Sequence, residues 1–159
     1  MKSNKFLKIT IIVLASIFTL GGIFVFYIYN TPHRDVQESK TDYVLTASQL
    51  IAEYLADPLA ANNKYLDSDG ESKIIEVQGQ VFSISEDYNN NKEIVLKSAV
   101  DKAGVRCTFS AETNKNAETL VIGNTVILKG VIRSGASYDS DLEMYENVIM
   151  EKCDEVKNK

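Results

Sequence analysis

The sequence predicts a mainly β domain, a five-stranded barrel with a helix ahead of it, preceded by a single transmembrane helix. Three observations carry this. Twenty-one consecutive uncharged, mostly apolar residues run from Ile9 to Tyr29. Leu50, Ile51, Tyr54 and Leu55 then recur at helical spacing. From Lys73 onward the chain breaks into five short stretches rich in Val and Ile, separated by Gly, Asn, Ser and Asp.

The apolar block decides the address. At ~1.5 Å rise per residue a helix of this length spans about 30 Å, the thickness of a bilayer core. Lys2, Lys5 and Lys8 favour the cytoplasmic side, and Tyr27 and Tyr29 sit where an interfacial aromatic belt would lie at the other end. The expected organisation is a cytoplasmic N-terminus (1–8), an anchor (9–29), a polar linker (30–41) and an extracytoplasmic domain (42–156), periplasmic or on the cell-surface side. The competing reading is a cleaved signal peptide. Its apolar region is usually ~7–15 residues and ends in a small-x-small site. Here the run is longer, Phe24-Val25-Phe26-Tyr27 offers no such site, and no cysteine lies near enough for a lipoprotein box.

The elements follow in order. Asn30 to Thr41 contains Pro32, charges of both signs and no periodicity, which is linker chemistry. Thr46-Ala47-Ser48-Gln49 fits a capping box, so a helix starts at Thr46 and buries Leu50, Ile51, Tyr54 and Leu55. Pro58 breaks it, but proline suits a first helical turn, so Leu59 to Tyr65 forms a second piece. The strands are expected at Lys73 to Ile84, Glu93 to Lys97, Gly104 to Phe109, Thr125 to Ile132 and Leu142 to Lys152. Gly79 and Gly130 fall inside the two longer strands, where an isolated glycine marks a bulge or bend. Tyr88-Asn89-Asn90-Asn91 is a turn, Asn116 to Ile122 a short helix stopped at Gly123, and Ser134 to Asp141 a polar loop. Five short strands with a helix between the third and fourth describe an OB-type barrel. The alternative is a small α+β sheet domain with the helix packed on it.

Composition narrows the chemistry. Three of the 17 Lys+Arg precede the apolar block and all 22 Asp+Glu follow it, so residues 30–159 carry 14 against 22, a net charge of −8. That balance opposes nucleic-acid phosphates and anionic headgroups. His33, the only histidine, lies in the linker, which leaves no base for a Ser-His-Asp or Cys-His arrangement. Two cysteines cannot close a four-cysteine zinc site. Asp67-Ser68-Asp69-Gly70-Glu71 resembles part of a calcium loop, but Tyr65 occupies the first ligand position, so a polar turn is expected. Asp139, Asp141 and Glu143 form a second, equally unspecific acidic cluster. No catalytic, metal or cofactor site is expected, and the alternative of a carboxylate-dependent hydrolase rests on no motif. In an oxidising compartment Cys107 and Cys153 are either a bridge or two small buried hydrophobes.

One resemblance covers most of the exported part. Pro32-His33-Arg34-Asp35-Val36, the Leu50 to Tyr54 helix, Ala60-Ala61-Asn62-Asn63-Lys64-Tyr65 and Glu76-Val77-Gln78-Gly79-Gln80-Val81 belong to it. Val105-Arg106-Cys107-Thr108-Phe109, Leu120, Gly123, Val126, Gly130 and Cys153 complete the pattern. With these the chain resembles the bacterial tRNA_anti-like family, which implies an OB fold behind an N-terminal membrane segment. In such a barrel the third and fifth strands are neighbours, which implies a Cys107–Cys153 disulfide. OB domains bind on the face of strands two and three, framed by the loops between strands 1–2 and 4–5. That mapping offers Tyr88, Arg106, Arg133 and Tyr138 as ligand-binding residues, with Phe109 and Tyr145 beside them. The expected function is a non-catalytic binding module. Its partners are the bilayer, through Ile9–Tyr29, and an envelope protein or small envelope ligand; an oligosaccharide or nucleic acid is the alternative.

Overall fold

Helix α1 (Lys5–Asn30) carries the apolar block. Its 26 residues span about 39 Å at ~1.5 Å each, and Ile9–Tyr27 has a mean hydropathy of 2.5 with no part buried. It is long and apolar enough to cross a membrane. The Ser16 and Thr19 hydroxyls donate to the Ile12 and Ala15 carbonyls at 2.8 Å each, so neither is an unsatisfied donor on an apolar surface. The computed structural model describes residues 5–30, 34–67 and 71–157. Lys2, Pro32, His33 and Ser68-Asp69-Gly70 lie outside the described residues. The chain forms two compact units, Met1–Arg34 and Asp35–Lys159.

The second unit is built on strand β2 (Ile74–Glu86). Residues 74–80 pair antiparallel with β5 (Thr125–Ser134), whereas residues 81–86 pair antiparallel with β3 (Lys92–Leu96). One strand thus serves both ends of the sheet. With β4 (Val105–Phe109) and β8 (Val148–Glu155) the order β2-β3-β4-β8-β5 closes back on β2. The β4–β8 pairing is parallel. This is the predicted five-stranded barrel, its third and fifth strands adjacent. Gly79 sits where β2 changes partner: a Cβ there would lie 2.9 Å from the Leu96 Cβ and 3.1 Å from the Ala47 Cβ. The register with β3 shifts between Val81 and Ser83. A second irregularity lies between Lys129 and Val131, where β8 holds an extra residue beside Lys152 at φ 53°. Alternation does the rest, burying Val77, Ile94, Leu96, Val105, Cys107, Phe109, Leu128, Ile132 and Met150 inside the barrel.

Short helices cover this core. In α2 (Ala47–Ala56) the capping box is complete: the Gln49 amide donates to Thr46 Oγ1 at 3.2 Å, and the Thr46 amide donates to Gln49 Oε1 at 2.9 Å. Ala47, Leu50, Ile51 and Tyr54 turn inward. Asp57 then caps α3 (Pro58–Tyr65), its carboxylate accepting from the Ala60 amide at 3.0 Å. The sixth sheet strand, β1 (Tyr43–Thr46), was not expected. It runs parallel to β2, with Tyr43 opposite Ile75. Part of the segment read as linker is bonded to the barrel: Val36 is buried, and Lys129 Nζ donates to the Gln37 and Ser39 carbonyls at 2.9 and 2.6 Å.

Two local expectations need correction. The helix between the third and fourth barrel strands is one turn, α4 (Asn114–Ala117), not Asn116 to Ile122. Ala117 and Leu120 pack inward, while Val121 and Ile122 are exposed and Gly123 turns at φ 92°. The polar loop and the start of the last strand fold together as a hairpin, β6 (Ser137–Asp139) and β7 (Met144–Glu146), so β8 begins only at Val148.

The partner switch in β2 predicts that Gly79→Ala destabilises the barrel by about 1–3 kcal/mol, the usual cost of forcing a methyl group into a packed site. Thr46→Ala costs about 1 kcal/mol through the lost cap. Urea unfolding reads both as a lower midpoint at unchanged slope.

Candidate ligand-binding surface

The β6–β7 hairpin fills the connection between the fourth and fifth barrel strands and brings side chains from distant parts of the sequence together. Its far end is pinned to β4: the Gly104 amide donates to Asn147 Oδ1 at 2.7 Å, and the Val148 amide donates to the Gly104 carbonyl at 3.0 Å. Its near end rests on α2. Gly135 lies so close to the Tyr54 ring that a Cβ would stand 2.0 Å from Tyr54 Cε1, so no larger residue fits without displacing one or the other. The hairpin turn is closed by Asp139, whose carboxylate accepts from the Asp141 and Leu142 amides at 2.8 and 3.0 Å. This gives Asp139, part of the second acidic cluster, a turn-forming role.

Two recesses flank the hairpin. The first, about 280 Å³, is lined by Arg106, Ser134, Met144, Tyr145, Glu146 and Asn147, with Ile149 beneath. Arg106 points outward because its neighbours on β4, Val105 and Cys107, point in. Among the described residues no carboxylate forms an ion pair with it. The second is a groove of about 480 Å³ walled by Tyr54, Leu55 and Pro58 on the helix side and by Lys102, Ala136, Ser137, Tyr138 and Tyr145 on the other. The Tyr138 and Tyr145 rings lie 4.9 Å apart at 53°, and Lys102 Nζ sits 5.3 Å from the Tyr145 centroid. The Ser137 hydroxyl donates to the Glu146 carboxylate. Tyr54 is 0% exposed, and its hydroxyl has no hydrogen-bond partner among the described residues. Burial, with the Tyr65 phenol and the Glu53 carboxylate adding to it, pushes that hydroxyl up to about 12.

The predicted ligand-binding residues distribute unevenly over this surface. Arg106 lines the first recess and Tyr138 the second. Tyr88 stands fully exposed in the β2–β3 turn, and Arg133 is exposed near the end of β5; neither lines either of these two recesses. Phe109 is a core residue. Tyr145 belongs to both recesses. Tyr54 and Lys102 were not anticipated here: helical spacing marks Tyr54 only as a core position, and nothing in the sequence near Lys102 sets it apart. The outward side of β3 and β4 places Glu93 opposite Thr108 and Val95 opposite Arg106, with no aromatic side chain. Phe82 on β2 is exposed, with Lys97 Nζ 5.8 Å from its ring centroid.

Cys107 and Cys153 are both fully buried, on the adjacent strands β4 and β8, and both are free thiols in the structure. Burial pushes the Cys153 thiol well above its ordinary value, and contact with the Cys107 thiol raises it further. Away from the hairpin, Glu53 on α2 accepts from Lys64 Nζ at 2.8 Å and from the Tyr65 hydroxyl at 2.7 Å. The same ammonium lies 4.7 and 5.3 Å from the Tyr65 and Tyr43 ring centroids, which ties α2, α3 and β1 together. The Lys64 hydrogen bond is the main cause holding the Glu53 carboxyl below its ordinary 4.5, against a smaller upward push from burial.

Strand order and the split pairing of β2 together define an OB-type barrel domain. The chain belongs to the tRNA_anti-like family, whose profile matches residues 1–141. Among solved structures it is similar to the crystal structure named "putative nucleic acid-binding lipoprotein" from Klebsiella pneumoniae. The two are 17% identical with a TM-score of 0.52, over 70% of this chain and 91% of that one. It also aligns with the Stn1–Ten1 complex of S. pombe at 20% identity and a TM-score of 0.36, over 56% of this chain and 62% of that one. The first likeness is one of fold; the second is too distant to argue from. No curated protein matches the chain.

The Glu53–Lys64 pair generates a pH prediction with a definite sign. A carboxyl held below its ordinary value stabilises the fold above that value and loses the contribution as pH falls through the folded one. Both side chains are 38% exposed, so solvent screens the pair and the effect is modest. Unfolding curves between about pH 5 and about pH 3 should show the parent protein losing more stability than Glu53→Gln over the same interval.

Proposed function

We propose that the protein is a membrane-tethered binding module. Helix α1 anchors it with the N-terminus in the cytoplasm, and the barrel presents the Arg106 recess to a segment of an envelope protein or a small envelope ligand. The observation that carries this is Arg106 itself, an outward guanidinium with no carboxylate paired to it among the described residues, at the edge of a recess built by the hairpin. Arginine in such a place suits planar acceptors such as carboxylates, which it holds through two parallel hydrogen bonds. Lys5 and Lys8 before the apolar run, with no acidic residue ahead of it, support the orientation. Photo-cross-linking side chains placed at positions 106 and 144 of the full-length protein in cells test the reading. One reproducible product from both positions, absent when the same group is placed at exposed position 115, is expected. Identical products from all three positions, or none from 106 and 144, contradict it.

A second reading, single-stranded nucleic acid, draws on the printed name of the Klebsiella neighbour and on the hairpin's tyrosine pair, of which Tyr138 is exposed. The net charge of −8 over residues 30–159 and the absence of aromatic side chains on the outer β3–β4 face weigh against it. Fluorescence anisotropy with a labelled oligothymidylate at low salt is expected to stay flat; a saturable, salt-sensitive rise would favour this reading instead.

Export of the barrel also puts its two touching thiols in an oxidising compartment, and on this reading they join as the Cys107–Cys153 disulfide. Protein isolated from the envelope and unfolded without reductant is then expected to titrate no free thiols, and two after reduction. Two free thiols before reduction would remove the bridge from the account.

A further inference from the structure

We propose that the barrel makes a contact of its own with the bilayer surface, through an exposed apolar patch formed by Phe82, Val121 and Ile122. The three side chains are 59%, 57% and 61% exposed, and large apolar groups gathered on a surface mark an interaction site. Backbone bonds bring them together. The Gly123 amide donates to the Val81 carbonyl and the Val81 amide to the Asn124 carbonyl, both at 2.8 Å, while Gln80 Nε2 donates to the Gly123 carbonyl at 2.9 Å. These bonds lay the Val121–Ile122 turn along β2 at Phe82. The adjoining Val81 and Leu120 fill the core, which leaves the three patch residues no part in it. Lys97 Nζ lies 5.8 Å from the Phe82 ring centroid, a basic–aromatic pairing that suits a headgroup region. Around the patch Lys97 and Lys115 are offset by Glu112 and Glu118, so apolar area rather than attraction to anionic lipid carries the contact.

The course of the chain selects lipid as the cover. The inference rests on the anchor proposed above, since it needs α1 in the membrane, and it adds a contact that the anchor alone does not require. Residues 31–34 are all that separates α1 from Asp35, and the chain from Asn30 to Asp35 reaches at most about 18 Å. Beyond Asp35 the chain is fastened to the barrel. Val36 is buried, Gln37 Nε2 donates to the Lys152 carbonyl at 2.7 Å, and Lys129 Nζ holds the Gln37 and Ser39 carbonyls. The next two residues of β8 hold the segment that leads into the patch. Thr113 Oγ1 donates to the Cys153 carbonyl at 2.7 Å, and Asn116 Nδ2 donates to the Asp154 carboxylate at 2.8 Å. The lead from the membrane and the α4 segment are thus fastened to consecutive residues of one strand, and a barrel on so short a lead presents the turn after α4 to the bilayer. The hairpin, with its exposed Leu142 and Met144, follows the other end of β5, whose ten residues span about 30 Å. With the patch seated in lipid, the Arg106 recess faces away from the membrane and stays open to a ligand.

The chain has no tryptophan, so a single introduced one reports its own surroundings. Full-length Phe82→Trp, Ile122→Trp, Leu142→Trp and, within α1, Phe18→Trp are each placed in phosphatidylcholine nanodiscs. The lipid chains are either ordinary or brominated, and bromine quenches indole emission on contact. Loss of emission in brominated lipid is expected at positions 18, 82 and 122, with undiminished emission at position 142. Adding Val121→Ser and Ile122→Ser to Phe82→Trp should abolish the quenching at 82; both are changes at exposed positions. Quenching at 18 without quenching at 82 and 122 would overturn the inference and leave the anchor in place. No quenching at 18 would remove the anchor, and this inference with it. Equal quenching at 82, 122 and 142 would overturn it as well, as would quenching at 82 that survives the two serine substitutions. A blue-shifted emission at 82 that bromine leaves untouched would replace lipid with a protein cover, such as a second copy of the chain, and so overturn it too.

Discussion

The structure depends on one strand having two partners. The first half of β2 bonds to β5 and the second half to β3, and that division lets five strands close into a barrel. The division is possible because Gly79 has no side chain at the point where Leu96 and Ala47 converge. Everything else in the second unit follows from closure. The parallel β4–β8 contact brings Cys107 and Cys153 into the same interior, and the inward alternation of all five strands makes one continuous core. Closure also sets the ends of β4, β5 and β8 beside one another, which is where the hairpin has to sit.

Much of this was legible before any coordinates. The first four strand runs, the capping box at Thr46 and Gln49, the break at Pro58 and the two in-strand glycines each carry a local physical signal, and each is found where that signal lies; the fifth run divides between the hairpin and β8. Elements defined by their partners were not legible. Strand β1 is four residues of alternating exposure whose only reason to be extended is the open side of β2 beside it. The hairpin consists of three-residue strands around a turn, too short for periodicity to show, and its Tyr138–Tyr145 pairing appears only in the register. The glycine stop at Gly123 points to a helix reaching Ile122; in the structure the helix ends at Ala117, and of Leu120, Val121 and Ile122 only Leu120 packs inward.

The candidate surface divides along the same line. Arg106 and Tyr138 were reachable by mapping the loops of an OB barrel onto the chain. The groove was not, because it is made by an extension of that barrel: Tyr54 arrives from α2, and Lys102 from the turn before β4. Tyr54 looks like any core aromatic in sequence, and only the packing of Gly135 on its ring brings the hairpin over it. A surface assembled in this way can vary through hairpin and helix without disturbing the barrel that supports it.

The most direct measurement of the central claim is the pattern of backbone nuclear Overhauser contacts across both halves of β2 in one sample of the full-length protein. Contacts between Val77 and Leu128 together with contacts between Ile84 and Ile94 are the predicted result, since a closed barrel makes both at once. Contacts on one side only would describe an open sheet, and with it the shared end that holds the hairpin and both recesses would be lost.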